Sequence, residues 1–149
     1  TRDAVGYWEK ALSIYEALKD NKKAGEVHVR LGSRVGGILD TGTRYSHNVK
    51  AVALLEPEGE SPQLAQGYVQ LADGAVHGYG HGQRSTGVPL LEKGLALAER
   101  LGDAAGVIEA AGRLGHALVY HTGEIGRGLE LYHKSCEEAR KRGFLIALS

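Results

Sequence analysis

No methionine occurs in the chain, and only one cysteine, Cys136. A single cysteine excludes an internal disulfide, and its place inside a helical pattern makes it a small apolar core residue of a reducing cytosol. Excess charge is also missing. Lys plus Arg and Asp plus Glu each number 18, so the formal net charge is zero. A neutral chain has no electrostatic footprint for a phosphate backbone, which excludes nucleic acid as a direct partner. There is no apolar run long enough for a membrane span and no signal-peptide pattern at the start, so no membrane contact is expected and the location is expected to be cytoplasmic. No stretch alternates with period two, which excludes a credible strand. The missing initiator methionine is consistent with a piece of a longer chain.

What the chain does have is helical periodicity. Trp8, Ala11, Leu12, Tyr15 and Leu18 fall at helix spacing, as do Leu64, Tyr68, Leu71 and Ala75, and Leu91, Leu95, Ala98 and Leu101. Val107, Ala110, Ala111, Leu114, Ala117 and Leu118 make a further stripe, and Ile125, Leu129, Tyr132, Cys136 and Ala139 the last. Turn residues separate the stripes: Asp20-Asn21, Asp40-Thr41-Gly42, Glu58 to Pro62, Gly102-Asp103 and Gly123-Glu124. Ser61-Pro62 reads as an N-cap followed by proline at the first helical position, and Gly102 and Gly143 fit the left-handed position past a helix end. These signals predict helices over 3–19, 23–39, 43–56, 62–79, 86–101, 104–121 and 124–142. Pro89 should start or kink the fifth rather than sit in its middle. The 22 glycines are the anomaly, since many fall inside these stripes, where each costs about 1 kcal/mol relative to alanine.

The chain also repeats. Lys10-Ala11-Leu12 recurs at Lys50, Lys93 and Lys134, in steps of 40, 43 and 41 residues. Leu31-Gly32 recurs independently as Leu71-Ala72 and Leu114-Gly115, in steps of 40 and 43. Two anchors marching together define a helix-pair unit in which small residues let helices approach closely.

Within a unit the pattern is a Leu-Gly or Leu-Ala pair followed by two small residues. Leu114, Gly115, Gly128 and Ser135 show it, then Leu71, Ala72, Gly87 and Gly94, and less well Leu31, Gly32, Arg44 and Ala51. This resembles the tetratricopeptide repeat, with a period longer than the usual 34 or so. The phrases Leu97 to Asp103 and Leu114 to Leu118 resemble the long-period variety found in bacterial signal-transduction ATPases and LuxR-type regulators. The resemblance implies an all-α fold: a right-handed α-solenoid of antiparallel helix pairs, about seven helices in three to three and a half repeats. Residues 1–149 would be one domain, cut from a longer array. It also implies a protein- or peptide-binding scaffold or sensor within a larger regulatory protein, and no enzyme. The alternative is a small-molecule-sensing domain of such a regulator, with a small polar inducer in the groove.

In tetratricopeptide stacks the first helix of each pair lines the groove. The family's groove positions fall here on Glu26, Val29, Ser33 and Gly37, on Gln66, Val69, Asp73 and His77, and on Glu109, Gly112, His116 and Tyr120. The candidate ligand residues are the polar ones: Glu26, Ser33, Gln66, Asp73, His77, Glu109, His116 and Tyr120. Asp73 and His77 stand one turn apart, so the acid is expected to hold the imidazole charged. Other constellations read more simply as structure. His77 with His81, and His116 with His121, lack a convincing third ligand, so no metal or cofactor is expected. The loop Gly78 to Gly82 follows a helix and lacks the Lys-Ser/Thr of a phosphate cradle. Cys136 beside His133 is predicted buried and unreactive. The run Phe144-Leu145-Ile146-Ala147-Leu148 is apolar enough to drive self-association through the C-terminal end.

Overall fold

The computed structural model describes residues 2–33, 39–76 and 86–143. Within them lie α1 (Arg2–Ala17), α2 (Asn21–Gly32), α3 (Thr41–Leu55), α4 (Pro62–Val76), α5 (Gly87–Leu101), α6 (Ala104–Ala117) and α7 (Ile125–Lys141), and no strand. A 3-10 turn, Glu56–Glu58, follows α3, and a π-helical turn, Leu118–Thr122, extends α6. All seven predicted helices are present.

Their ends are set by local chemistry. The first backbone N–H groups of a helix lack intrahelical acceptors. The carboxylates of Asp20, Asp40 and Asp103 accept from the N–H of Lys23, Thr43 and Gly106 at 3.0, 3.0 and 3.1 Å. Ser61 Oγ accepts from Leu64 N–H at 3.1 Å, with Pro62 opening α4. Gly102 ends α5 at φ 65°, a left-handed conformation open to glycine without strain. Pro89 occupies the first turn of α5, where its missing N–H removes no helical bond. The prediction for the second helix ran too far. It stops at Gly32, and Ser33 is already extended at φ −72°, ψ 155°.

Each helix packs on its neighbours in sequence, and α4 also touches both α2 and α6. On the other side, ion pairs link the odd-numbered helices and their turns. Glu56 meets Lys93 at 2.8 Å and Glu60 meets Arg100 at 2.6 Å; Glu92 pairs with Arg127 and Glu99 with Lys134. α4 therefore neighbours α2 and α6 in one layer, while long side chains tie α5 to α7 and to the turn after α3.

The core has two chambers. Val29, Ala51, Val52, Leu55, Leu64, Ala65, Tyr68, Leu97 and Ala98 fill one; Val69, Ala72, Val76, Leu91, Leu95, Ala110, Ala111, Leu114, Ala117 and Leu118 fill the other. Leu90 and Val107 pack against both. Leu31 and Leu114 are buried, whereas Leu71 is half-buried beside the first chamber. The small repeat residues mark helix crossings. Ala51 and Ala72 are fully buried, and a Cβ on Gly94 would lie 3.1 Å from the carbonyl oxygen of Ala65. Cys136 is half-buried rather than buried. The apolar run 144–148 and the loop 78–82 lie outside the described residues.

Candidate functional site

α3, α4, α6 and the end of α2 enclose a cleft of about 140 Å³ lined mainly by polar residues. Gly32 and Ser33 at the end of α2, Thr41, Arg44, Tyr45 and Asn48 of α3, Gln66, Gln70, Asp73 and Gly74 of α4, and Glu109 and Arg113 of α6 line it. Its origin lies in the repeat. At the position where the second and third units carry Gly87 and Gly128, the first carries Arg44, whose half-buried side chain lines the cleft.

Charge in the cleft is arranged across helices. Arg113 Nη1 reaches Asp73 Oδ1 at 2.8 Å, and Arg113 Nη2 reaches Glu109 Oε1 at 3.1 Å. Arg44 donates from Nη2 to Thr41 Oγ1 at 3.2 Å, and Asn48 donates from Nδ2 to the Gly32 carbonyl at 3.4 Å. Three buried side-chain atoms among the described residues have no hydrogen-bond partner: Arg44 Nε, Asn48 Oδ1 and Gln70 Oε1. All three belong to residues of this one cleft. Asn48 is 4% exposed and Gln70 8%. Buried polar atoms are nearly always satisfied, so their concentration here is unusual.

A second cleft of about 330 Å³ adjoins the first across the Asp73–Arg113 pair. Val76, Leu91, Ala117 and Tyr132 give it apolar walls, and His116 stands at its edge.

Of the predicted groove residues, Ser33, Gln66, Asp73 and Glu109 line the polar cleft, and His116 lines the second with Asp73. Glu26 and Tyr120 line neither; Tyr120 is 70% exposed, its ring 4.6 Å from that of His116. His77 lies outside the described residues. Asp73 receives Arg113 from the next helix of the layer, a partner the sequence reading had not given it. Val29 and Val69 are buried core residues. The reading also missed Arg44, Asn48, Gln70 and Arg113. For Gln70 and Arg113 a signal existed: Gln66-Gln70-Asp73 and Glu109-Arg113-His116 recur at spacings of four and three, one polar helix face.

A further polar cluster lies at the α1–α2–α3 junction. His28, 1% exposed, presents Nδ1 to His47 Nδ1 at 2.8 Å, and its Nε2 is 3.9 Å from Glu16 Oε1. Burial, then His47 and Lys50, bring the His28 pKa down from 6.5 to about 4. Burial and Lys50 lower that of His47, against the pull of Glu9. No set of three or more potential metal-binding side chains converges among the described residues. No helix among them is long and apolar enough to cross a membrane.

Fold and cleft together define an all-helical protein with a polar recess among α2, α3, α4 and α6. Compared with protein-family models, with curated proteins and with solved structures, the chain matches none of them.

Proposed function

We propose that this chain is a peptide-binding module, a right-handed tetratricopeptide-like solenoid serving as scaffold or sensor in a larger cytoplasmic regulator. The observation that carries the reading is the gathering of unpartnered Arg44 Nε, Asn48 Oδ1 and Gln70 Oε1 in one cleft. A buried polar atom without a partner costs about 1–3 kcal/mol. A peptide main chain offers both N–H donors for the amide oxygens and carbonyl acceptors for the guanidinium, so a peptide that opens the cleft enough to reach them removes that cost. The contacts of α4 with α2 and α6, and the ion pairs among odd-numbered helices, support the solenoid.

A second reading is favoured by the cleft's modest volume of about 140 Å³, which suits a small polar inducer. Binding to a peptide array and thermal-shift screening against small polar molecules separate the two. In either case Arg44→Ala and Arg113→Ala should each weaken binding at least tenfold with helicity retained. Undiminished binding in both variants would move the site elsewhere.

A further inference from the structure

We propose that the His28–His47 contact is a pH-sensitive joint that holds α2 to α3 when the two rings share one hydrogen and lets them part when both are charged. The repeat shows what this position normally holds. By the steps of the two anchors, His28 corresponds to Tyr68 and Ala111, and His47 to Leu90 and Leu131. Tyr68 is buried in the first core chamber with Leu90 packed against it, and Ala111 in the second with Leu131 packed against it. Helix packing at this site is thus satisfied twice over without an ionisable pair at neutral pH, by Tyr68 with Leu90 and by Ala111 with Leu131. Only the first unit places two imidazoles there.

At 2.8 Å, the space between the facing Nδ1 atoms takes one hydrogen, donated by one ring into the lone pair of the other. A first added proton can be shared, but it buries a charge in the helix interface. A second proton sets two N–H bonds head-on and removes the acceptor. The charged groups around the pair work in both directions. From α3, Lys50 opposes protonation of both rings. From α1, Glu9 favours it at His47, and Glu16 stands 3.9 Å from His28 Nε2. Burial adds to Lys50, and the balance keeps the pair neutral at neutral pH. Because α3 also carries Arg44, Tyr45 and Asn48, and α2 ends in Gly32 and Ser33, parting these helices reshapes the polar cleft at the same pH.

The test installs the second repeat's own pair. Melting temperatures of the natural chain and of His28→Tyr/His47→Leu are compared from about pH 7.5 down to about pH 4.5. The natural chain should lose about 5 °C more than the double variant over that range. Equal losses overturn the proposal. If the double variant lacks native helicity at neutral pH, ring-proton NMR titration of the natural chain decides instead. Two linked steps below the other histidines support the joint; two independent titrations near the ordinary value of about 6.5 overturn it.

Discussion

Gly115 and Gly128 bring the backbones of α6 and α7 into direct contact. A Cβ on Gly115 would lie 2.8 Å from the Gly128 carbonyl oxygen, and one on Gly128 would lie 2.9 Å from that of Gly115. A side-chain neighbour can rotate away, but a helix backbone cannot. Gly115→Ala should therefore destabilise the chain by about 2 kcal/mol even though alanine favours a helix by about 1 kcal/mol. Gly6, inside α1 with nothing within 4 Å of its would-be Cβ, gives the contrast. Gly6→Ala should stabilise by roughly 0.5–1 kcal/mol. Urea denaturation of both variants checks the pair, and a stabilising Gly115→Ala would refute the contact.

Arg113 bridges α4 and α6 at a partly buried site, its side chain 29% exposed and that of Asp73 22%. Arg113→Ala should cost about 1–2 kcal/mol, more than an exposed surface pair. A double-mutant cycle with Asp73→Asn measures the coupling. A coupling energy indistinguishable from zero would show that the bridge carries no stability.

Glu56 sits between two donors, Lys93 Nζ at 2.8 Å and Tyr68 Oη at 2.6 Å. Lys93 first, then Tyr68, hold its carboxyl below the ordinary value of 4.5. A carboxyl depressed in the folded state contributes stability above its unfolded pKa and loses it as pH falls through the folded one. Lys93→Ala should therefore flatten the stability profile below about pH 4.5, by a few tenths of a kcal/mol because the pair is half-exposed. Denaturation midpoints at stepped acidic pH provide the check.

One face of α7 is left apolar and open. Leu129 corresponds to Val88 in the preceding unit, yet Leu129 is 49% exposed while Val88 packs against the core. The chain should show concentration-dependent association by sedimentation velocity, and Leu129→Glu should reduce it with little change in melting temperature. Unchanged association would place the contact on another surface.

The helices were legible because their apolar stripes keep the helical period and Asp20, Asp40, Ser61 and Asp103 stand where caps are needed. The end of α2 was not: Gly32, Ser33, Gly36 and Gly37 are breakers, but Leu31, Val35, Ile38 and Leu39 keep a helical spacing around them and carried the prediction on. The cleft was half legible. Gln66, Asp73, Glu109 and Ser33 followed from the repeat register, but Gln70 and Arg113 were passed over, though they share a helix face with Gln66 and Glu109. Arg44, Asn48 and the His28–His47 contact depend on how α2 and α3 approach each other. That approach is a tertiary fact, absent from the periodicity of either helix.

Among the described residues, the helix pairs in substantial contact are never more than two α-helices apart along the chain. A molecule built this way closes only short loops as it assembles, so its folding should be quick for its length and free to begin at any unit. Pulled from its termini, it should come apart in successive small steps rather than in one event. Damage to one end should leave the other standing, and amide exchange should grade from protected central helices to fraying outer ones.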